Sequence, residues 1–285
     1  MKPSSFFLPV ATTLFTLMLN QAAAQGTQRP LIPLLKADDI PTLCDSTLAT
    51  LRKRVSTLEK LPPARAKDSR KVLTEWNDLQ IAFEDLQGPV DILNNVSPDA
   101  KVRSTTEACL IDLNKLSTEL FQNEKLYARF KAIQPTDPVE KKLRQDVLYS
   151  FDDTGVSLAP EKRARMKAIL DKLNELSQEF ARNIRDNNQN LTFTPAEVQG
   201  MPEAYLARAK RDDKGNYLLG FDYPDYKPFM ESADNSDARR RYQIAFANHG
   251  TPKNLPILKE AMDLLHEMAT LFGLPSYADL VTRRR

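Results

Sequence analysis

Along most of this chain, apolar residues recur at steps of three and four, the period of one helix face. Cys44, Leu48, Leu51, Val55 and Leu58 form a first stripe, which Pro62-Pro63 is expected to end. Val72, Trp76, Leu79, Phe83 and Leu86 form a second, with a stop expected at Gly88-Pro89. Ser97-Pro98 reads as N-cap and first turn of a third, whose stripe is Val102, Thr106, Cys109, Leu113, Leu116 and Leu120. Three such helices with short connections predict an antiparallel bundle. A fourth helix is expected over Pro138 to Tyr149, then a turn at Asp152-Asp153-Thr154-Gly155. A long helix comes next, from about Pro160 to Asp186, with Met166, Ile169, Leu173, Leu176, Phe180 and Ile184 as its buried stripe.

The pattern changes after Asn187-Asn188-Gln189-Asn190. Leu191-Thr192-Phe193-Thr194 is β-favouring, Asp212 to Asn216 is a strong turn, and Tyr217 to Tyr223 alternates as a strand does. A small antiparallel β element near 191–223 is expected, and helices resume after Pro224. Ser236 can cap one ending near Gly250. The next carries Leu255, Leu258, Met262, Leu265, Ala269 and Phe272 as its buried stripe, with Gly273 at its C-terminal cap. Ser276 caps a last helix. So short a helix is marginal without a partner, so the chain reads as the start of something longer.

Composition agrees with an all-α class: of 285 residues only 8 are Gly, and β-branched runs are scarce. Charged residues make up 27% with the signs intermixed and a net charge of +2, which calls for no nucleic-acid partner. The runs Arg239-Arg240-Arg241 and Arg283-Arg284-Arg285 read as solvated helix faces.

Lys2, the apolar stretch Phe6 to Leu19 and Ala22-Ala23-Ala24 form a signal-peptide pattern over residues 1–24, with cleavage expected after Ala24. The competing reading, a membrane anchor, suits the short apolar stretch less well. The mature chain is therefore expected to be exported, periplasmic or secreted, with no membrane attachment after cleavage. Pro30, Pro33 and Pro41 make 25–42 a linker, leaving a helical lobe over 43–188 and a mixed strand and helix region over 189–285. An oxidising compartment permits a Cys44–Cys109 disulfide. Both cysteines also lie on apolar stripes, so two buried thiols fit equally well.

Candidate chemistry is sparse. His266-Glu267 resembles the start of an HExxH zinc motif, in which two His one turn apart bind the metal and Glu activates water. Here the fifth position is Thr270, so His266 reads as a helix-flank residue. His249 precedes Gly250 at a helix end, where a capping role is expected. Asp38-Asp39, Asp152-Asp153 and Asp212-Asp213 are expected in loops or turns and lack calcium-loop spacing. Asn190-Leu191-Thr192 fits a glycosylation acceptor. No catalytic, cofactor-binding or metal-ligating residue is assigned.

Several segments, in order, resemble the thimet oligopeptidase family of zinc metallopeptidases, which includes neurolysin and bacterial oligopeptidase A. Val96-Ser97-Pro98-Asp99 with Val102-Arg103 resembles its V-S-P-D-x-x-V-R helix entry. Thr154-Gly155, Leu158, Arg163, Leu176, Phe180 and Asn183 resemble its T-G-x-x-L…R…L…F-x-x-N helix. Gly200-Met201-Pro202-Glu203 is similar to its G-x-P-E turn, and Tyr223-Pro224-Asp225-Tyr226-Lys227-Pro228 to its Y-P-x-Y-x-P segment. Asn254, Ile257-Leu258, Ala269, Leu271-Phe272-Gly273 and Tyr277-Ala278-Asp279 resemble N…I-L…A-x-L-x-G…Y-A-D.

The resemblance implies a nearly all-helical fold with two lobes around a deep channel that admits short peptides. It implies zinc held by HExxH and a Glu on the following helix, in the later half of the family's chain. None of those positions occurs in this sequence, and the family usually has Leu-Arg where this chain has Leu265-His266. The expectation is the N-terminal part of a zinc oligopeptidase, inactive alone. The rival expectation is a helical peptide-binding or partner-binding module that pairs with a separately encoded catalytic half.

Overall fold

The structure, a computed structural model, describes residues 35–61, 66–187 and 189–284. The segment read as a signal peptide, the linker up to residue 34 and Pro62-Pro63 lie outside the described residues. The first stripe forms α1 (Asp39–Lys60), so Pro41 sits in the first turn of a helix. The second forms α2 (Ala66–Val96), the third α3 (Ala100–Phe121).

Two expected boundaries move. α2 runs straight through Gly88-Pro89. An interior proline costs about 3 kcal/mol. Beyond it, Val90 is fully buried and Leu93 nearly so, continuing the stripe of Leu86. Each such side chain returns roughly 1.5–3 kcal/mol, which outweighs the proline. At α3 the N-cap is Asp99, not Ser97: its carboxylate accepts from the Lys101 amide at 2.8 Å, while the Ser97 hydroxyl is occupied by the Asp99 amide at 3.3 Å. A charged acceptor holds a helix start more strongly than a hydroxyl.

α4 (Glu124–Ala132) has no counterpart among the sequence stripes, being only nine residues long. Asn123 caps it with bonds from the Lys125 and Leu126 amides, and Leu126 and Phe130 anchor it in the core. α5 (Pro138–Asp153) is four residues longer than expected, so Asp152 and Asp153 belong to its last turn. Trp76 is the centre of this lobe's core, 5.7 Å from Phe121, 5.0 Å from Phe130 and 6.0 Å from Phe151. Cys44 and Cys109 form a disulfide that ties α1 to α3, which decides between the two readings of the cysteines.

α6 (Pro160–Arg185) packs along both α3 and α10 (Thr251–Leu271) and so joins the bundle to the C-terminal region. Between them lies the β element as three strands, β1 (Leu191–Phe193), β2 (Lys210–Arg211) and β3 (Tyr217–Leu219), in antiparallel order β1-β3-β2. The strand expected to reach Tyr223 stops at Leu219. The Gly220 amide is taken by the Asp225 carboxylate at 3.1 Å, and Pro224 sits in the first turn of α8 (Tyr223–Ser232). A short helix, α7 (Glu203–Arg208), leaves the Gly200 turn, where φ is +86° and an added Cβ would sit 2.3 Å from the Ser232 carbonyl. α9 (Ser236–Asn248) is capped by Asn235 rather than Ser236, through a 2.9 Å bond from the Ala238 amide. Phe193, Phe229 and Tyr242 fill the core of this region.

α11 (Tyr277–Thr282) is capped by Ser276 as expected. It has a partner in the helices that precede it: Leu280 is buried with Met166, Ile169, Met268 and Ala269 of α6 and α10. No helix of the described residues is long and apolar enough to cross a membrane.

Candidate functional site

The pair that resembles a zinc motif is engaged in packing the scaffold. Glu267 receives both forks of Arg165, at 2.6 and 2.7 Å, and that bond holds its carboxyl below the usual range. His266 is exposed, and the Thr270 hydroxyl at the would-be second ligand position bonds back to the His266 carbonyl at 3.0 Å. Among the described residues no three His, Cys, Asp or Glu side chains converge. The donors present therefore do not fit a zinc site. His249 ends α9: its Nδ1 meets the Phe246 carbonyl and its ring stacks on Phe221 at 5.5 Å.

Asp38, Asp152, Asp153 and Asp212 of the acid pairs also have structural partners. Asp38 holds Lys101, and Asp212 accepts from the Asn216 side chain and from the Asn216 and Lys214 backbone amides of its own turn, which lowers its pKa. Asp152 accepts from the Tyr127 hydroxyl at 2.7 Å, a bond that pushes that phenol up to about 12. Asp153 pairs with Arg283 and Arg284. The arginine runs are thus not simply solvated faces. Arg241 reaches the Thr192 carbonyl and Glu197 and covers the Phe193 ring, while Arg239 bonds the Ala233 carbonyl.

Residues from the resemblance meet in space. Asn183 on α6 donates to Asn254 on α10 at 2.9 Å, and Asn254 donates to the Phe180 carbonyl at 3.1 Å. Asn254 is buried, so these bonds also satisfy it. Asp225 accepts from the Tyr205 hydroxyl at 2.9 Å, and burial with that bond raises the Tyr205 pKa. Beside them, Glu107 of α3 is buried between Arg182 and Arg185 of α6. Asp186 bridges Arg185 and Arg103 at 3.0 and 3.1 Å, and the Arg185 bond lowers its pKa. No sequence signal marks Glu107, because it falls on the stripe-bearing side of α3 among apolar residues.

What remains open is surface. The stripe expected to be buried along α10 is covered only toward its C-terminal end: Ala269 is buried and Leu265 and Phe272 are half-buried, whereas Leu255, Leu258 and Met262 are 59%, 47% and 61% exposed. The face that α10 turns inward carries Asn254, Ile257 and Met268 beside Ala269. Ile184 on α6 is exposed as well. Between α6 and α10 runs an apolar groove of about 440 Å³, walled by Leu173, Leu176, Phe180 and Leu258. Each exposed side chain forgoes about half of the ~1.5–3 kcal/mol that full burial brings. Beyond the groove, at the C-terminal end of α6, lies a polar cavity of about 620 Å³ with Arg182, Asp186 and Lys253 in its wall.

Proteins similar to this chain are oligopeptidases by name. The chain is 28% identical over 211 residues to a thimet-like oligopeptidase of Dictyostelium discoideum, covering 70% of this chain and 31% of that protein. It is 31% identical over 211 residues to oligopeptidase A of Salmonella typhimurium, covering 67% of this chain and 31% of that one. The oligopeptidase A of Haemophilus influenzae is 27% identical over 268 residues, covering 86% and 39%. No protein-family model matches the chain. The chain belongs to the thimet oligopeptidase and oligopeptidase A family. It spans about a third of the length of these relatives.

Proposed function

We propose that this chain supplies the helical, peptide-facing lobe of a zinc-dependent oligopeptidase that hydrolyses short peptides, and that it does not hydrolyse them by itself. The observation that carries this reading is the 31% identity to a protein named oligopeptidase A over 211 residues. The local chemistry supports the second half: Glu267 is committed to Arg165, and the HExxH spacing is interrupted by Thr270. Zinc ligands, general base and activated water then come from further polypeptide of the family type, where a zinc-bound water attacks the scissile carbonyl. Export fits the same reading, since a Cys44–Cys109 disulfide persists in an oxidising compartment.

The test is turnover of a quenched oligopeptide by the purified chain with added zinc. No chelator-sensitive turnover is expected. Hydrolysis that disappears with chelator and returns with zinc overturns the inactivity. A second reading, a partner-binding module that works with a separately encoded catalytic half, is favoured by the uncovered stripe on α10.

A further inference from the structure

Leu255, Leu258, Met262 and Leu265 succeed one another at steps of three, four and three. That is the a/d spacing by which one helix seats another. The same stripe continues to Ala269, which is fully buried beside Leu280 of α11. One end of the seam therefore already receives a helix, while the three positions upstream of Leu265 face solvent. Ser177, Ala181 and Ala261 also line the adjoining groove, where small side chains let a backbone come close. On the far flank Lys259 and Asp263 neutralise each other at 2.6 Å. Glu260 and Glu267 are turned away from the seam and held by Lys172 and Arg165. No unbalanced charge opposes an apolar partner here.

We infer that the α10 seam and the α6–α10 groove form a docking site for one amphipathic helix with an aliphatic a/d stripe. That helix belongs to the additional polypeptide that relatives more than twice this length possess. This rests on the oligopeptidase reading, and it names the contact through which the lobe meets the rest of the enzyme. An extended substrate peptide has no matching period, because its side chains alternate every two residues.

The probe is a synthetic helix of three heptads with Leu at a and d, compared with a scrambled peptide of the same composition. Binding to the full chain is read by fluorescence anisotropy, and the footprint by hydrogen exchange. Binding of the heptad peptide alone is expected, with protection confined to 170–181 and 251–271. Leu258→Glu with Met262→Glu should weaken it by about tenfold or more at an unchanged melting temperature, since both side chains are exposed. Equal binding of the scrambled peptide overturns the inference. So does unchanged affinity in the double variant. Concentration-dependent self-association that the double variant abolishes also overturns it, in favour of a second copy as occupant. Helix binding together with chelator-sensitive turnover by the chain alone would leave the docking site standing and remove the inactivity. Failure of helix binding in an inactive chain does the reverse.

Discussion

The bundle of α1 to α5 and the α6–α10 layer are written in the same three-four code, with opposite outcomes. In the bundle, Leu48, Leu51 and Leu113 are all but sealed, at 4%, 1% and 0% exposure. On α10, the equally regular Leu255, Leu258 and Met262 stay about half in water. The bundle closes on itself because its helices are consecutive and stapled by Cys44–Cys109. α10 has two apolar faces and, in this chain, one neighbour of comparable length, α6. A stripe therefore reports how much burial a helix expects, and this chain provides half of what α10 expects.

The contrast can be broken most severely at Trp76. Replacing it with Ala should cost about 3–5 kcal/mol, because four rings share that centre. Urea unfolding followed by circular dichroism measures this. A cost below that of an exposed apolar position would show that the bundle is not the stable half. Replacing Cys44 and Cys109 together with Ala should cost about 2–4 kcal/mol, because the bridge closes a 65-residue separation. The same unfolding curve reads it, and an unchanged midpoint contradicts the stapling role.

A third test works at the junction. Asp186 is held below the ordinary carboxylate range by Arg185, so its folded pKa lies under its unfolded one. Its contribution is therefore full above the ordinary carboxylate pKa and is lost as pH falls through the depressed value. Partly exposed pairs of this kind contribute about 0–1 kcal/mol. Asp186→Asn should lower stability slightly at neutral pH and leave it unchanged at acid pH, seen as a flatter acid limb of melting temperature. The smallest effect is expected on the seam: Leu258→Ala should change stability by no more than about 0.5 kcal/mol, against about 2–5 for Leu113→Ala. A large loss at Leu258 would mean that the seam is covered within this chain.

Much of the fold was legible in the sequence. The stripes of α1, α2 and α3, most of that of α6, the turn at Asp212 to Asn216 and the cap at Ser276 lie where expected, while α10 is capped at Phe272 with Gly273 just after it. The errors share a cause. Local rules stopped α2 at Gly88-Pro89, whereas Val90 and Leu93 are held by distant residues. The same rules placed caps on Ser97 and Ser236, although a better acceptor stood next to each of them, or two residues on. α4 was missed because nine residues show too little of a period, and its Phe130 gains meaning only against Trp76. That Thr270 interrupts the HExxH spacing was readable in the sequence, while Glu267's commitment to Arg165, 102 positions away, was not.

By itself, then, the sequence determined the helical class, the helices and most of their apolar faces, and the family, because these rest on local period and on ordered short motifs. Only the tertiary structure decided which of those faces are covered. Burial depends on which neighbours exist and how far they reach. The structure also decided the bond between Cys44 and Cys109, and the partners of Glu107, Asn254 and Glu267. Each of those pairs residues far apart along the chain, and no local pattern encodes that distance.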